Sequence, residues 1–190
     1  MARTDTDGRQ RPPVIAPVTE PDAEQAELLD KTHRGTGPAN IFATMVHNPR
    51  LMKRLNVLGG YFVAHGLLEP RDRELVVMRT AYRAGCDYEF GRHTLLVGRE
   101  GLLTDDEVER IATDDLGAGW SPQDAQLLRL ADEITADDRA SDELTGQLAE
   151  RFSDAELIEV TLLVGFYRML AGYLNTLDVN REEGVPGFPG

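Results

Sequence analysis

The chain has 190 residues, a length that suits one domain and is too short for a second core to be expected. Hydrophobic residues make up 41% of it and charged residues 28%, which excludes a wholly disordered chain. Its 33 aspartates and glutamates outnumber 20 lysines and arginines, giving a net charge of -13. Because this charge repels a phosphate backbone, nucleic acid is not an expected partner.

The single cysteine, Cys86, excludes an intrachain disulfide and a thiolate-rich zinc site, and suits a reducing compartment. The first residues contain no apolar run like that of a signal peptide, and no segment reaches the roughly 20 apolar residues that span a bilayer. We therefore expect a cytoplasmic protein that is not embedded in a membrane.

The two ends of the chain are predicted to be irregular. Residues 1–20 contain three prolines and few large apolar groups, so they are expected to form a mobile arm. Residues 181–190 are rich in glycine and proline, which favours an irregular tail, with Phe188 as a candidate oligomer contact. A single domain is expected over residues 21–180.

The first predicted helix runs from Pro49 to about Ala64, because Asn48 is a typical N-cap and proline is favoured at the first helical position. Its predicted inward face consists of Leu51, Leu55, Leu58 and Phe62. Pro70 opens the next helix, whose inward residues are predicted to be Leu75, Met78 and Tyr82.

A break at Gly85 separates that helix from one predicted between Cys86 and Glu100, which Gly101 closes. Further helices are predicted to start at Thr104, Ser121, Ser141 and Ser153. The helix after Ser153 is apolar on almost every face, so we expect it to lie centrally or at a subunit interface. No segment alternates as a strand does, and the predicted class is all-α.

Four residues with reactive side chains, Glu74, Cys86, Glu89 and His93, follow the spacing E-x11-C-x2-E-x3-H. The last three fall within about 60° of one helix face, because positions i, i+3 and i+7 stack. They can therefore act on one ligand.

The chemistry of these groups suggests a division of roles. His93 titrates nearest neutrality and can exchange a proton with substrate. Glu89 can orient the imidazole, or act as the base if burial raises its pKa. Cys86 lies at a predicted helix N-terminus, where the helix dipole favours a thiolate, and Glu74 can return to the same pocket as a proton relay.

Three neighbouring residues are predicted to bind substrate: Arg73, Tyr88 and Arg92. Either arginine could hold a carboxylate through two parallel hydrogen bonds, and the sequence does not choose between them.

Each candidate also has a purely structural interpretation. A single cysteine is often a small buried hydrophobe, a glutamate and a histidine at i, i+4 often make only a surface contact, and the helix dipole favours an acid such as Glu74 in a first turn. Metal binding by Glu89 and His93 is a further alternative, since i, i+4 is a ligand spacing. No second ligand pair is evident, and neither a metal nor a cofactor is expected.

The chain resembles the carboxymuconolactone decarboxylase and alkyl hydroperoxidase-like superfamily in motif order and spacing. The central motif runs from Arg73-Glu74-Leu75 through Cys86-Asp87-Tyr88-Glu89-Phe90-x2-His93 to Gly101-Leu102-x2-Asp105-Asp106-Glu107-Val108. Two later segments resemble the final long helix of the family: Ser153-x2-Glu156-Leu157-Ile158-Glu159 and Gly165-Phe166-Tyr167. The likeness covers about residues 40 to 180 and implies a helical bundle that assembles as a dimer, trimer or hexamer.

The resemblance implies two chemistries. Its peroxidase branch uses two cysteines spaced C-x2-C, with a glutamate and a histidine at the positions of Glu74 and His93. Here Cys86 takes the first cysteine position and Glu89 the second, so a dithiol cycle lacks its resolving cysteine. The decarboxylase branch keeps the Glu-x3-His pair, which Glu89 and His93 match.

We therefore expect a cofactor-independent lyase or isomerase acting on a small organic acid, lactone or related carbonyl compound. His93 would exchange the proton, Glu89 would orient it, and Glu74 and Cys86 would line the pocket. One alternative is a thiol-dependent antioxidant enzyme of the alkyl hydroperoxide reductase type, with Cys86 resolved by an external thiol. Another is a non-enzymatic family member that binds a ligand or a partner.

Overall fold

The computed structural model describes residues 11–32, 39–114, 116–117 and 119–190. These residues form nine helices and no strand, which confirms the all-α class for the part of the chain described. The helices are α1 (Ala23–Asp30), α2 (Asn40–Met45), α3 (Pro49–Ala64), α4 (Pro70–Arg83), α5 (Asp87–Glu100), α6 (Asp105–Ile111), α7 (Pro122–Asp137), α8 (Asp142–Ala149) and α9 (Asp154–Thr176).

Local capping chemistry sets most of these boundaries, as the sequence predicted. The side chains of Thr104 and Ser153 each accept a hydrogen bond from the backbone amide of the N3 residue. In return, the side chain of that residue, Glu107 or Glu156, accepts a hydrogen bond from the backbone amide of the N-cap. Asn48 caps α3 through its side chain. Gly101 ends α5 at a φ of 65°, a left-handed conformation that glycine adopts without strain.

Helix α4 lies at the centre of the bundle, where it packs against α5, α7 and α9. Its ten consecutive residues 72–81 are all buried, because neighbours cover it on every side. Arg79 is among them: its guanidinium binds both carboxylate oxygens of Asp132 on α7, at 2.5 and 2.8 Å, and the carbonyls of Ile111 and Thr113. The buried guanidinium of Arg79 is therefore held in one orientation by neighbouring elements.

The predicted inward face of α3 is wrong in part. Phe62 is buried and Leu55 is half-buried, but Leu51 and Leu58 are 50% and 44% exposed. Helix α3 lies at the edge of the bundle, against α1, α2 and α9, so only one narrow side of it meets the core. The rest of its apolar surface remains uncovered in the single chain.

Helix α9 is buried along one side, through residues that include Val160, Leu163 and Val164, while Ile158 and Leu162 on its other side are exposed. By length and composition it could cross a membrane, and half of that stretch is buried inside the protein. It thus combines a core helix with an uncovered apolar face.

The described parts of both chain ends contact the helices. The amides of Val14 and Val18 donate to the carbonyls of Leu177 and Ala43, which ties this part of the predicted arm to the bundle; residues 1–10 lie outside the described residues. The C-terminal segment is irregular, as predicted. Phe188 packs on the rings of Tyr82 and Phe90, with centroids 5.5 and 5.2 Å apart. Phe188 thus has an intrachain contact, and the oligomer contact expected of it stays a prediction.

Candidate active site

Glu74 of α4 and His93 of α5 meet where the two helices pack together. The Nδ1 atom of His93 lies 2.5 Å from Oε2 of Glu74. The Glu74 side chain is 1% exposed and that of His93 is 12% exposed. A charged hydrogen bond of this length, shielded from water, fixes both the position of the ring and the nitrogen that faces Glu74.

Glu89 lies on the opposite side of the imidazole ring. Its Oε2 is 3.6 Å from Nε2 of His93, and its side chain is also buried. The ring of Tyr167, from α9, makes a T-shaped contact with the imidazole, with centroids 5.3 Å apart and an interplanar angle of 82°. His93 is thus held between two carboxylates and one aromatic ring.

Burial and charge oppose each other at this cluster. Burial alone would lower the pKa of His93, but the carboxylates of Glu74 and Glu89 outweigh it and raise the pKa. Burial alone would raise the pKa of Glu74, but His93 and Arg73 outweigh it and lower the pKa. Burial prevails at Glu89, whose pKa is raised. Glu89 is therefore the carboxyl group better suited to carry a proton, and Glu74 is the one held ionised.

Cys86 is the N-cap of α5 and is completely buried. The backbone amides of Glu89 and Tyr88 face the sulfur and favour a thiolate, as the sequence suggested for a helix N-terminus. Burial, aided by the negative charge of Glu89, nevertheless raises the pKa of Cys86 to about 12. The helix N-terminus therefore acts in the expected direction, but desolvation has the larger effect and favours the thiol over the thiolate.

Arg73 lies in the site, but its guanidinium contacts the protein itself. Nε of Arg73 donates to Oε1 of Glu74 at 2.9 Å, and Nη1 donates to the carbonyl of Val63 at 3.5 Å. Its side chain is 9% exposed. Arg73 thus binds the Glu74 oxygen that His93 does not bind.

Tyr88 and Arg92 both face Glu182 of the C-terminal segment. The Tyr88 hydroxyl donates to Oε1 of Glu182 at 2.6 Å and accepts from the amide of Ile41 at 3.0 Å. Nη1 of Arg92 lies 3.5 Å from Oε2 of Glu182. These contacts fasten the first turns of α5 to the end of the chain, and a substrate contact by either residue stays a prediction.

Three residues that shape the site were not among the sequence candidates: Tyr167, Glu182 and Glu159. The buried carboxylate of Glu159 accepts hydrogen bonds from the amides of Leu67 and Leu68 and from the hydroxyl of Tyr61. It therefore fixes the turn that leads into α4 and Glu74. Glu159 lies within the quoted family motif, which is the signal that could have found it, whereas no local pattern marks Glu182.

Two further features bear on ligands. Among the described residues, no group of three or more histidine, cysteine, aspartate or glutamate side chains is placed to hold a metal ion. A cavity of about 340 Å³ lies near the C-terminal segment, with Tyr82, Gly85 and Phe188 among its lining residues. None of the seven site residues predicted from the sequence lines this cavity.

Residues 49–133 match the carboxymuconolactone decarboxylase family. This stretch runs from the start of α3 into α7 and contains Glu74, Cys86, Glu89 and His93. The resemblance predicted from the motifs is confirmed over this stretch of the chain. None of the curated proteins matches the chain in sequence.

Solved structures confirm the fold over almost the whole chain. An uncharacterized peroxidase-related protein from Silicibacter sp. TM1040 is 15% identical, with a TM-score of 0.81 over 94% of this chain and 96% of its own. The alkylhydroperoxidase AhpD core protein from Ralstonia eutropha JMP134 is 21% identical, with a TM-score of 0.74 over 91% and 95%. The debrominase Bmp8, solved with 2,3,4-tribromopyrrole, is 18% identical, with a TM-score of 0.70 over 92% and 94%. At these identities the likeness concerns the fold alone.

Proposed function

We propose that this protein is a general acid/base enzyme, a lyase or isomerase that moves a proton at a carbon atom of a small lactone, organic acid or related carbonyl compound. The observation that carries the proposal is the buried position of His93 between Glu74 and Glu89, at 2.5 and 3.6 Å. An imidazole in such surroundings has a fixed orientation and a ready proton acceptor on each side.

The two ring nitrogens have different roles in this proposal. Nδ1 is bound to Glu74, which orients the ring and stabilises the imidazolium. The 3.6 Å gap between Nε2 and Glu89 exceeds a hydrogen bond, so Nε2 can turn its proton or its lone pair to a substrate atom. Glu89, with its raised pKa, supplies or receives the second proton.

The arginines take a smaller part in substrate binding than the sequence suggested. Arg73 is bound to Glu74, and Arg92 lies near Glu182. A substrate carboxylate would have to compete with a carboxylate of the protein at either residue. This favours substrates that are neutral at the reacting centre, such as lactones and ketones, within the proposed class.

The proposal can be tested before the natural substrate is known. A panel of small lactones, β-keto esters and ketones is incubated with the protein in D₂O, and ¹H NMR measures the loss of each α-proton signal. Enzyme-dependent exchange of at least one compound is expected. In His93→Ala the exchange rate should fall roughly 10²–10⁴-fold, with helical circular dichroism unchanged.

The rank order of three variants separates the proposed roles. Glu89→Gln should also slow exchange, because an amide cannot hold a proton or balance an imidazolium. Cys86→Ser should change it least, since the proposal gives the thiol no proton to transfer. Exchange that persists in His93→Ala but vanishes in Cys86→Ser would overturn the acid/base proposal.

A thiol-dependent antioxidant enzyme is the second candidate, favoured by the two amides that face the Cys86 sulfur and by the fold shared with a peroxidase-related protein. The raised pKa of the buried thiol and the glutamate at position 89 count against it. Rapid consumption of alkyl hydroperoxide with a dithiol reductant, lost in Cys86→Ser, would promote this candidate over the first.

A further inference from the structure

A general acid/base must take up and release its proton near the working pH, and the surroundings of His93 oppose the release. Glu74 and Glu89 are both buried and lie 2.5 and 3.6 Å from the two ring nitrogens. When the imidazolium loses its proton, the positive charge that balances these two buried carboxylates is lost. Uncompensated buried charge is costly, so a second cation is needed.

Arg73 is placed to be that cation. Its Nε donates to Oε1 of Glu74 at 2.9 Å, while Oε2 of the same carboxylate faces His93. The carboxylate of Glu74 therefore bridges the guanidinium and the imidazole. An arginine keeps its charge at every pH at which the protein is folded, so its effect does not titrate away.

We propose that Arg73 is a positioning residue, which holds Glu74 ionised and oriented and allows His93 to release its proton, instead of binding substrate. Arg73 adds one positive charge to this cluster whether or not Glu89 holds a proton. With Glu89 ionised, the side chains of Arg73, Glu74, Glu89 and His93 carry no net charge when the imidazole is protonated, and one negative charge after it loses its proton. Without Arg73 these charges become one and two negative. The more negative cluster binds its proton more tightly, so Arg73 sets the proton affinity of His93.

The other groups around the ring do not replace Arg73. Helix α5 contributes Glu89 and Arg92. The charge of Arg92 acts to lower the pKa of Glu89, but the nearby carboxylate of Glu182, 3.5 Å from the guanidinium of Arg92, acts to raise it. Helix α9 contributes the ring of Tyr167, which is neutral. Arg73 alone among these groups shares a carboxylate with His93.

The inference rests on the proposed function for its importance, but its test measures protonation directly. The C–H resonances of the His93 imidazole are followed against pH by NMR in the wild type, Arg73→Met and Arg73→Lys, and His93→Gln identifies the signals. Arg71→Met is the matched control, because Arg71 is also an ion-paired arginine of α4 but binds Glu107 and Asp124.

Arg73→Met should move the titration midpoint of His93 to higher pH by about one unit or more, since one cation leaves a buried cluster. Arg73→Lys restores the charge and should stay within about 0.3 unit of the wild type, as should Arg71→Met. An unchanged or lower midpoint in a folded Arg73→Met protein overturns the inference.

A double variant tests charge balance itself. Arg73→Met combined with Glu89→Gln removes one positive and one negative charge, so its midpoint should return towards that of the wild type. A midpoint as high as in Arg73→Met alone overturns the inference. If Arg73→Met does not fold, the double variant decides: folding with a near-normal titration supports the inference, and failure of both variants overturns it.

The test also separates this inference from the proposed function. If His93 titrates as expected in every variant but no carbonyl compound exchanges its α-protons, the role of Arg73 stands and the proposed reaction fails. If exchange depends on His93 but the titration midpoint of His93 does not change when Arg73 is replaced, the proposed reaction stands and the role of Arg73 fails.

Discussion

The hydrogen bond between Nδ1 of His93 and Oε2 of Glu74 joins two helices through residues 19 positions apart, at a distance of 2.5 Å. The two side chains come from α4 and α5, so the contact depends on how these helices pack. The charge of Glu74 raises the pKa of His93, and the opposite ring nitrogen lies 3.6 Å from Oε2 of Glu89. The same bond should contribute to the free energy of unfolding, and its contribution should depend on pH.

Glu74→Gln should destabilise the protein most between about pH 4.5 and 6.5. The pKa of Glu74 is lowered from 4.5, so its contribution is present above that value and is lost as the pH falls through the folded pKa. The pKa of His93 is raised from 6.5, so its contribution is present below that value and is lost as the pH rises through the folded pKa. Urea unfolding of both proteins at pH 3, 5.5 and 9 should show the largest difference, about 3–5 kcal/mol, at pH 5.5.

Glu107→Gln is the control for this pH dependence. A hydrogen bond from Arg71 is the main cause that lowers the pKa of Glu107 to about 2, and the partner cation is an arginine that does not titrate. Its stabilisation should therefore disappear at acid pH but persist at pH 9. Glu74 also binds Arg73, so part of the Glu74→Gln effect should remain at pH 9. An effect as large at pH 9 as at pH 5.5 would mean that His93 is not its titrating partner.

The Cys86 thiol should resist chemical labelling in the folded protein. Burial raises its pKa from 9.0 to about 12, which lowers the thiolate fraction at pH 8 roughly 1000-fold. Reaction with a disulfide reagent such as DTNB at pH 8 should be slow in buffer and should reach one thiol per chain in 6 M guanidinium chloride. Fast labelling of the folded protein would show an accessible thiolate and would strengthen the peroxidase alternative.

Local chemistry explains which parts of the fold the sequence could predict. Capping at Thr104 and Ser153 involves side chains three residues apart, and such signals are complete within one segment. The uncovered face of α3 could not be predicted in this way. Leu51 and Leu58 have the spacing of a core face, and only the edge position of α3 leaves them exposed.

At the candidate site too, contacts within one segment could be predicted from the sequence, and contacts between distant segments could not. Glu89 and His93 lie one turn apart on one helix, so their proximity follows from helical geometry, and the predicted return of Glu74 to their pocket agrees with its position. The sequence could not say that Arg73 turns towards Glu74, or that Glu182 reaches Tyr88 from 94 residues away. Those contacts depend on packing between distant segments.

Gly91→Ala should loosen the C-terminal segment from α5. A Cβ at position 91 would lie 1.9 Å from the backbone carbonyl oxygen of Pro186, so the segment has to move away. We expect a loss of about 1–3 kcal/mol in the free energy of unfolding, measured with urea. Faster proteolysis of the C-terminal segment should accompany it.

Gly98→Ala is the matched control in the same helix. A Cβ at position 98 meets no atom within 4 Å, and alanine favours a helix over glycine, so this variant should gain about 0.5–1 kcal/mol. Equal effects of the two substitutions would show that helix propensity, and not the contact with Pro186, determines the result.

The exposed apolar face of α3 and α9 should form an interface between copies of the chain, as predicted for the final helix. Val57 of α3 is 75% exposed, Leu162 of α9 is 59% exposed, and Ile158 extends the apolar surface along α9. Monomeric proteins rarely leave such patches open to water. Light scattering at micromolar concentration should therefore give the mass of a dimer or a larger oligomer.

Leu162→Glu should lower that mass because it buries a charge in the interface, whereas Thr145→Glu, at an exposed position of α8, should not. A wild-type mass of about 21.0 kDa, that of one chain, would contradict the prediction.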